Sequence, residues 1–227
     1  MTTTEVIVPI ACLCVAVNVN IVCMTIWTPQ LETGNTPLYQ ALANAIEGED
    51  NNGAGNAEIN ANFNSNAGIS WYYGTDGNPG GTESDFVTVV LHEIGHGLGF
   101  FSNTTNTGAF GGGGPAIFDF FVEDGQTGQV FANMTDTERL DAATDQDMPN
   151  QISWNGAFGV DAAGGNPILY SPDPWENGSS VSHLDEATYN GTADALMTPA
   201  LAPGDAVHSP GSIVLGMFQD LGWQLPN

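Results

Sequence analysis

The segment Leu91-His92-Glu93-Ile94-Gly95-His96-Gly97 constrains this chain more than any other stretch. It carries two histidines four residues apart, with a glutamate directly after the first. On a helix, positions i and i+4 share a face, with about 5–6 Å between their Cβ atoms. Two imidazoles at that spacing can grip one zinc ion at Zn–N distances of about 2.0–2.1 Å. Glu93 lies about 100° round the helix from His92, so its carboxylate flanks the ion without having to bind it. The pattern therefore asks for a helix that offers two metal ligands and a general base beside the water such an ion activates. Ser84 or Asp85 can cap that helix, and Phe86, Val89, Val90 and Ile94 supply its buried face. Gly95, Gly97 and Gly99 bring it to an end just after His96.

Charge narrows the partners. Among 227 residues there are 26 acidic side chains and a single Lys or Arg, Arg139, for a formal charge of −25. Such a surface repels nucleic acid phosphates and anionic lipid head groups, which excludes both as partners. Apolar residues make up 41%, enough for a sizeable core and against disorder throughout. The acidity reads first as a solubility device suited to a salty extracellular medium. Calcium is a second reading, since hard cations want carboxylate and carbonyl oxygens. Glu47 to Asn52 and Asp76-Gly77-Asn78 are oxygen-rich loops of that kind, although neither completes a calcium-loop pattern. Cys12, Cys14 and Cys23 all stand near the start, so the body of the chain folds without disulfides.

In order along the chain, Val6 to Trp27 is nearly uncharged, but Pro9, Asn18 and Asn20 interrupt it and no basic residue precedes it. Val15, Val17, Val19 and Ile21 alternate with Ala16, Asn18 and Asn20, which favours strands over a signal remnant, and either over a membrane span. Pro37 to Glu47 reads as a helix capped by Thr36 and stopped by Gly48, with Leu38, Ala41, Leu42, Ala45 and Ile46 as its apolar stripe. A loop from Asp50 to Asn56 follows. Ile59, Ala61 and Phe63 alternate with asparagines as a half-exposed strand, and Trp71-Tyr72-Tyr73 reads as another. Beyond the metal-binding helix, Gly111 to Gly114 is a loop, and Thr135 with Glu138 forms a capping box for a helix through Ala143. Gln151 to Trp154 and Pro167 to Tyr170 read as strands. Ser209 and Pro210 open a last helix that turns Ile213, Val214, Met217, Phe218 and Leu221 inward and ends at Gly222.

A catalytic zinc takes three protein ligands and leaves a fourth position for water. The extended motif H-E-x-x-H-x-x-G-x-x-H would put the third histidine at position 102, where this chain has Ser102, a poor zinc ligand. The remaining candidates are His183, His208 and the carboxylate of Glu123.

At this point the sequence resembles the leishmanolysin-type metzincins. The resemblance rests on His92 to Phe100, on Ser182-His183, on Leu196-Met197-Thr198-Pro199 and on Met217 to Gly222. It covers residues 91–100 and 182–222 well and the middle poorly. In that family an insertion separates the glycine from the third histidine, which returns shortly before a methionine turn. The resemblance thus implies His92, His96 and His183 as ligands of one catalytic Zn2+, Glu93 as base and Met197 beneath the site. The family's disulfides have no counterpart in the cysteine-free body, and Pro199 replaces the tyrosine that some metzincins offer the metal.

The expected fold is α+β, a metzincin-like zinc protease. Residues 1–30 are an N-terminal segment of strands, a signal remnant or a truncated start. The catalytic domain then covers 31–227. It divides into an N-terminal sheet-and-helix subdomain (about 31–101), an insertion (102–181) and an irregular C-terminal subdomain with a final helix (182–227). The expected activity is secreted zinc endopeptidase, acting on protein or peptide substrates, with no membrane span. Two other classes fit the same motif: a non-catalytic zinc-containing binding or adhesion module, and a zinc amidase acting on a non-peptide substrate.

Overall fold

The computed structural model describes residues 13–17, 20–24, 30–33, 36–61, 63, 68–111, 114–145 and 151–225. Of the N-terminal segment 1–30, expected to be strands, a signal remnant or a truncated start, only 13–17, 20–24 and residue 30 are among these, and the rest lies outside the described residues. Where strand alternation was expected, β1 (Leu13–Val17) and β2 (Asn20–Met24) pair antiparallel, with Leu13 opposite Met24 and Val17 opposite Asn20. A second hairpin joins β3 (Gln30–Thr33) to β4 (Thr36–Tyr39).

Helix α1 (Gln40–Glu47) starts later than its apolar stripe suggested. Thr36 and Pro37 belong to β4, pairing with Thr33 and Glu32, so neither caps nor opens the helix. Gly48 does end it, in the left-handed conformation at φ 70, returning its N–H to the Asn44 carbonyl. The buried face is Gln40, Leu42 and Ala43, and Ile46 is half exposed. The alternation from Ile59 to Phe63 makes no continuous strand among the described residues, only an isolated bridge at Asn60. Ile59 and Phe63 instead lean on Tyr39, Phe101 and Ala116.

Strands β5 (Trp71–Tyr72) and β6 (Ser84–Asp85) pair in parallel and deliver the chain to α2 (Phe86–Gly97). Asp85 caps α2, accepting the Thr88 N–H and the Thr88 hydroxyl, both at 2.7 Å. Ser84 plays no part in that cap. The buried face carries Thr88, Val89, His92, Glu93 and His96, while Ile94, expected inside, is turned outward.

In the middle segment a 3-10 helix (Ile117–Phe120) leads into β7 (Val122–Asp124). The Thr135–Glu138 capping box forms as expected and starts α3 (Asp136–Thr144). Strand β8 (Ile152–Trp154) pairs with β7, whereas Pro167 to Tyr170 gives only isolated bridges at Ile168 and Leu169. Helix α4 (Ala157–Ala163) has no counterpart in the sequence reading. Its N-terminal amides are satisfied from far away: Asp220 accepts the Phe158 and Gly159 N–H groups, both at 2.9 Å. The same carboxylate accepts the Trp154 indole N–H.

The short α5 (Glu186–Tyr189), capped by Asp185, precedes a 3-10 turn at Ala195–Met197. Strand β9 (Ala200–Leu201) then joins β1 in parallel. The last helix, α6 (Gly211–Leu221), buries all five residues expected of it and ends at Gly222, φ 113. It packs on α4 through glycine: a Cβ on Gly216 would stand 2.5 Å from the Phe158 carbonyl oxygen. The main core runs from Phe100, Phe118 and Phe131 through Trp154 to Met197 and Met217. The architecture is α+β, built of six α-helices and small sheets among the described residues, in which no helix is long and apolar enough to cross a membrane.

Candidate metal centre

His92 and His96 face the same way from α2, one turn apart. His183 arrives from the loop before α5. Their Nε2 atoms form a nearly equilateral triangle, 3.0 Å between His92 and His96 and 3.2 Å from His183 to each of the other two. All three residues are buried.

The second nitrogen of each ring decides what the first can do. His92 Nδ1 lies 2.6 Å from the Leu196 carbonyl oxygen, His96 Nδ1 2.7 Å from that of Phe100, and His183 Nδ1 2.8 Å from that of Ser179. A carbonyl oxygen can only accept, so each Nδ1 carries the proton and each Nε2 presents a lone pair. Three lone pairs pointing at one another repel unless a cation lies between them. Tetrahedral Zn–N bonds of about 2.0–2.1 Å put ligand nitrogens about 3.3 Å apart, close to the edges of this triangle. The donor set fits one transition-metal ion with an open coordination position. No other group of three or more His, Cys, Asp or Glu residues among the described residues can do the same.

Burial holds the rings neutral. Desolvation pulls His92 down to about 4 and, with the His92 imidazole adding to the effect, His183 to about 3; His96 falls well below the ordinary histidine value through desolvation and both neighbouring imidazoles. Neutral imidazole is the ligating form. Glu93 is 1% exposed, and neither of its carboxylate oxygens has a hydrogen-bond partner among the described residues. Burial alone pushes it up to about 8. An unpartnered buried carboxylate is costly unless a charge or a water answers it, and a dication held by the adjacent histidines would favour its ionised form.

The other sequence candidates lie elsewhere. His208 Nε2 bonds to Asp85 at 2.7 Å, tying the chain ahead of α6 to the start of α2. Glu123 accepts from Asn155 and Asn166. Ser102, at the position of the usual third histidine, donates to the buried carboxylate of Asp119 at 2.5 Å. Burial pushes Asp119 up to about 6, against the hydrogen bonds it accepts. Met197 is fully buried and packs against α2 at Gly95, the residue before His96. A narrow recess beside His92, lined by Thr88, Val89, Leu196, Thr198 and Leu201 among others, has room for about one water molecule.

Sequence reasoning missed the three carbonyls that orient the rings, because backbone acceptors carry no residue signature. It also missed Asp119 and the bonding of Ser182, because Ser102 meets them only across 17 and 80 residues of chain.

A family model described as SPBPB7E8-like matches residues 53–111, the portion that holds His92, Glu93 and His96 but not His183. No curated protein and no solved structure matches the chain.

Proposed function

We propose that this protein is a zinc-dependent endopeptidase of metzincin-like type, acting on protein or peptide substrates outside the cell. The observation that carries the reading is Glu93: a buried carboxylate, both oxygens unpartnered among the described residues, that follows His92 on the helix carrying two of three converging imidazoles. A purely structural zinc site closes with four protein ligands and has no use for a base held in that position. The resemblance of residues 91–100 and 182–222 to the leishmanolysin-type enzymes supports the same reading.

His92, His96 and His183 would hold the ion, each ring locked in its tautomer by a backbone carbonyl. The chemistry zinc supplies when bound is acidification of a water and polarisation of the scissile carbonyl. Glu93 takes the proton from the attacking water and passes it to the departing amine, acting as base and then as acid. Its burial keeps bulk water from competing for that proton.

The test is cleavage of a peptide library by the zinc-loaded protein, with and without 1,10-phenanthroline. Chelator-sensitive cleavage, restored by zinc, is the expected result. No cleavage at one zinc per chain overturns the hydrolytic reading in favour of a binding module, and hydrolysis of simple amides alone redirects it to an amidase.

A further inference from the structure

The third ligand comes from a loop far along the chain, so something must hold that loop at the right distance from α2. The chain after α2 is fixed twice. The Phe100 carbonyl holds His96 Nδ1, and two residues later the Ser102 N–H donates to Ser182 Oγ at 3.1 Å. Ser182 is the residue before His183, and all of these groups are buried. Ser102 is itself anchored. Its hydroxyl donates to Asp119 Oδ1 and accepts the Thr104 N–H, while Asp119 Oδ2 takes the Asn103 and Ala116 N–H groups at 3.1 and 2.7 Å. The Thr104 hydroxyl adds a longer contact to the same carboxylate, 3.4 Å.

We propose that Ser102 and Ser182 form a latch, anchored on Asp119, that positions His183 for the metal. Position 102 is where an uninterrupted motif would place the third histidine. Here that position still sets the third ligand, by a hydrogen bond to the ligand's neighbour instead of by coordination. A short path, Phe100 to Ser102 to Ser182 to His183, then fixes the separation of His96 Nε2 from His183 Nε2 at 3.2 Å. Ser102, Ser182 and Asp119 are positioning residues and touch neither metal nor substrate. The inference rests on the metal site and not on the hydrolytic reading.

The test reads zinc affinity, by competition with a chromophoric chelator, together with the visible spectrum of the Co2+-loaded protein. Loss of a group that orients a metal ligand typically weakens binding about 10- to 100-fold. Ser182→Ala is expected to weaken zinc binding within that range and to change the Co2+ bands. In a His183→Ala background the same change should have no further effect on zinc affinity, because the latch acts through His183. Ser102→Ala keeps the backbone N–H that bonds Ser182 Oγ and removes only the hydroxyl anchor on Asp119. It should therefore weaken zinc binding less than Ser182→Ala and leave a His183→Ala background unchanged; it tests the anchored latch by itself if Ser182→Ala does not fold. Unchanged zinc affinity in the single variants overturns the latch. An equal loss with and without His183 also overturns it, by showing a general structural role.

Discussion

Gly95 and Met197 are in such close contact that a methyl group on the glycine would stand 2.7 Å from the methionine sulfur and 3.2 Å from its terminal carbon. Gly95 lies between Glu93 and His96 on α2, and Met197 follows Leu196, whose carbonyl holds His92. The glycine thus lets the methionine turn pack directly against the helix that carries two of the ligands. Gly95→Ala forces the buried Met197 to shift, and overpacking of this kind costs about 1–3 kcal/mol. Urea unfolding of the metal-free variant should show a loss in that range, and Met197→Leu, which conserves volume, a smaller one.

Glu93→Gln separates chemistry from metal binding. Removing a positioned general base lowers turnover about 10²- to 10⁴-fold, while the three histidines are untouched. Peptide cleavage should fall by that factor with zinc content still near one per chain. Retained cleavage would remove Glu93 from the mechanism.

The same substitution gives a pH signature in the metal-free protein. Glu93 is raised from 4.5 in the unfolded chain to about 8 in the folded one, so between those values the native state binds the extra proton. Stability is therefore lost as pH rises through that window, on the order of 5 kcal/mol if fully expressed. Glutamine does not titrate. The stability difference between variant and parent should grow in the variant's favour from pH 4.5 to 8, measured by unfolding at each pH, and zinc loading should shrink it.

His183→Ala removes a ligand from another part of the fold. Zinc content after dialysis should drop well below one per chain, with α2 still formed by circular dichroism. Full occupancy in that variant would mean that the site is completed by other residues.

Arg139, the single Lys or Arg of the chain, is buried and does structural work. Its guanidinium donates to the carbonyls of Gly108, Phe131 and Met134 and to Asp136, and lies over the Phe110 ring. Arg139→Ala takes the donor from the carbonyls of Gly108, Phe131 and Met134, at about 1–3 kcal/mol for each left unsatisfied, while water answers the exposed Asp136; the loss should read as a fall in the urea midpoint. Arg139→Lys should recover only part, since an ammonium cannot reproduce the planar fork.

Elements with local signals were legible in the chain. Asp85, the Thr135–Glu138 box and Gly222 mark helix ends through bonds made within a few residues, and α6 shows its buried face by period alone. The alternation at Ile59 to Phe63 gives only a single bridge at Asn60 among the described residues, because Ile59 and Phe63 can be partly buried by contact with Tyr39 and Phe101 without a continuous ladder. Helix α4 was invisible because Asp220, on another helix, satisfies its first amides.

The sequence by itself determined half of the metal site. The i, i+4 spacing of His92 and His96 fixes their common face once the segment is helical, and that spacing is a local property of the backbone. For the other half the residues alone left three candidates, the family resemblance pointed to His183, and the tertiary structure decided among them. It chose His183 over His208 and Glu123 by bringing one Nε2 to 3.2 Å from both partners while giving the other two side chains hydrogen-bond partners elsewhere. It also supplied the three carbonyls that set the tautomers. Such choices depend on which distant segments pack together, and no short-range pattern encodes that.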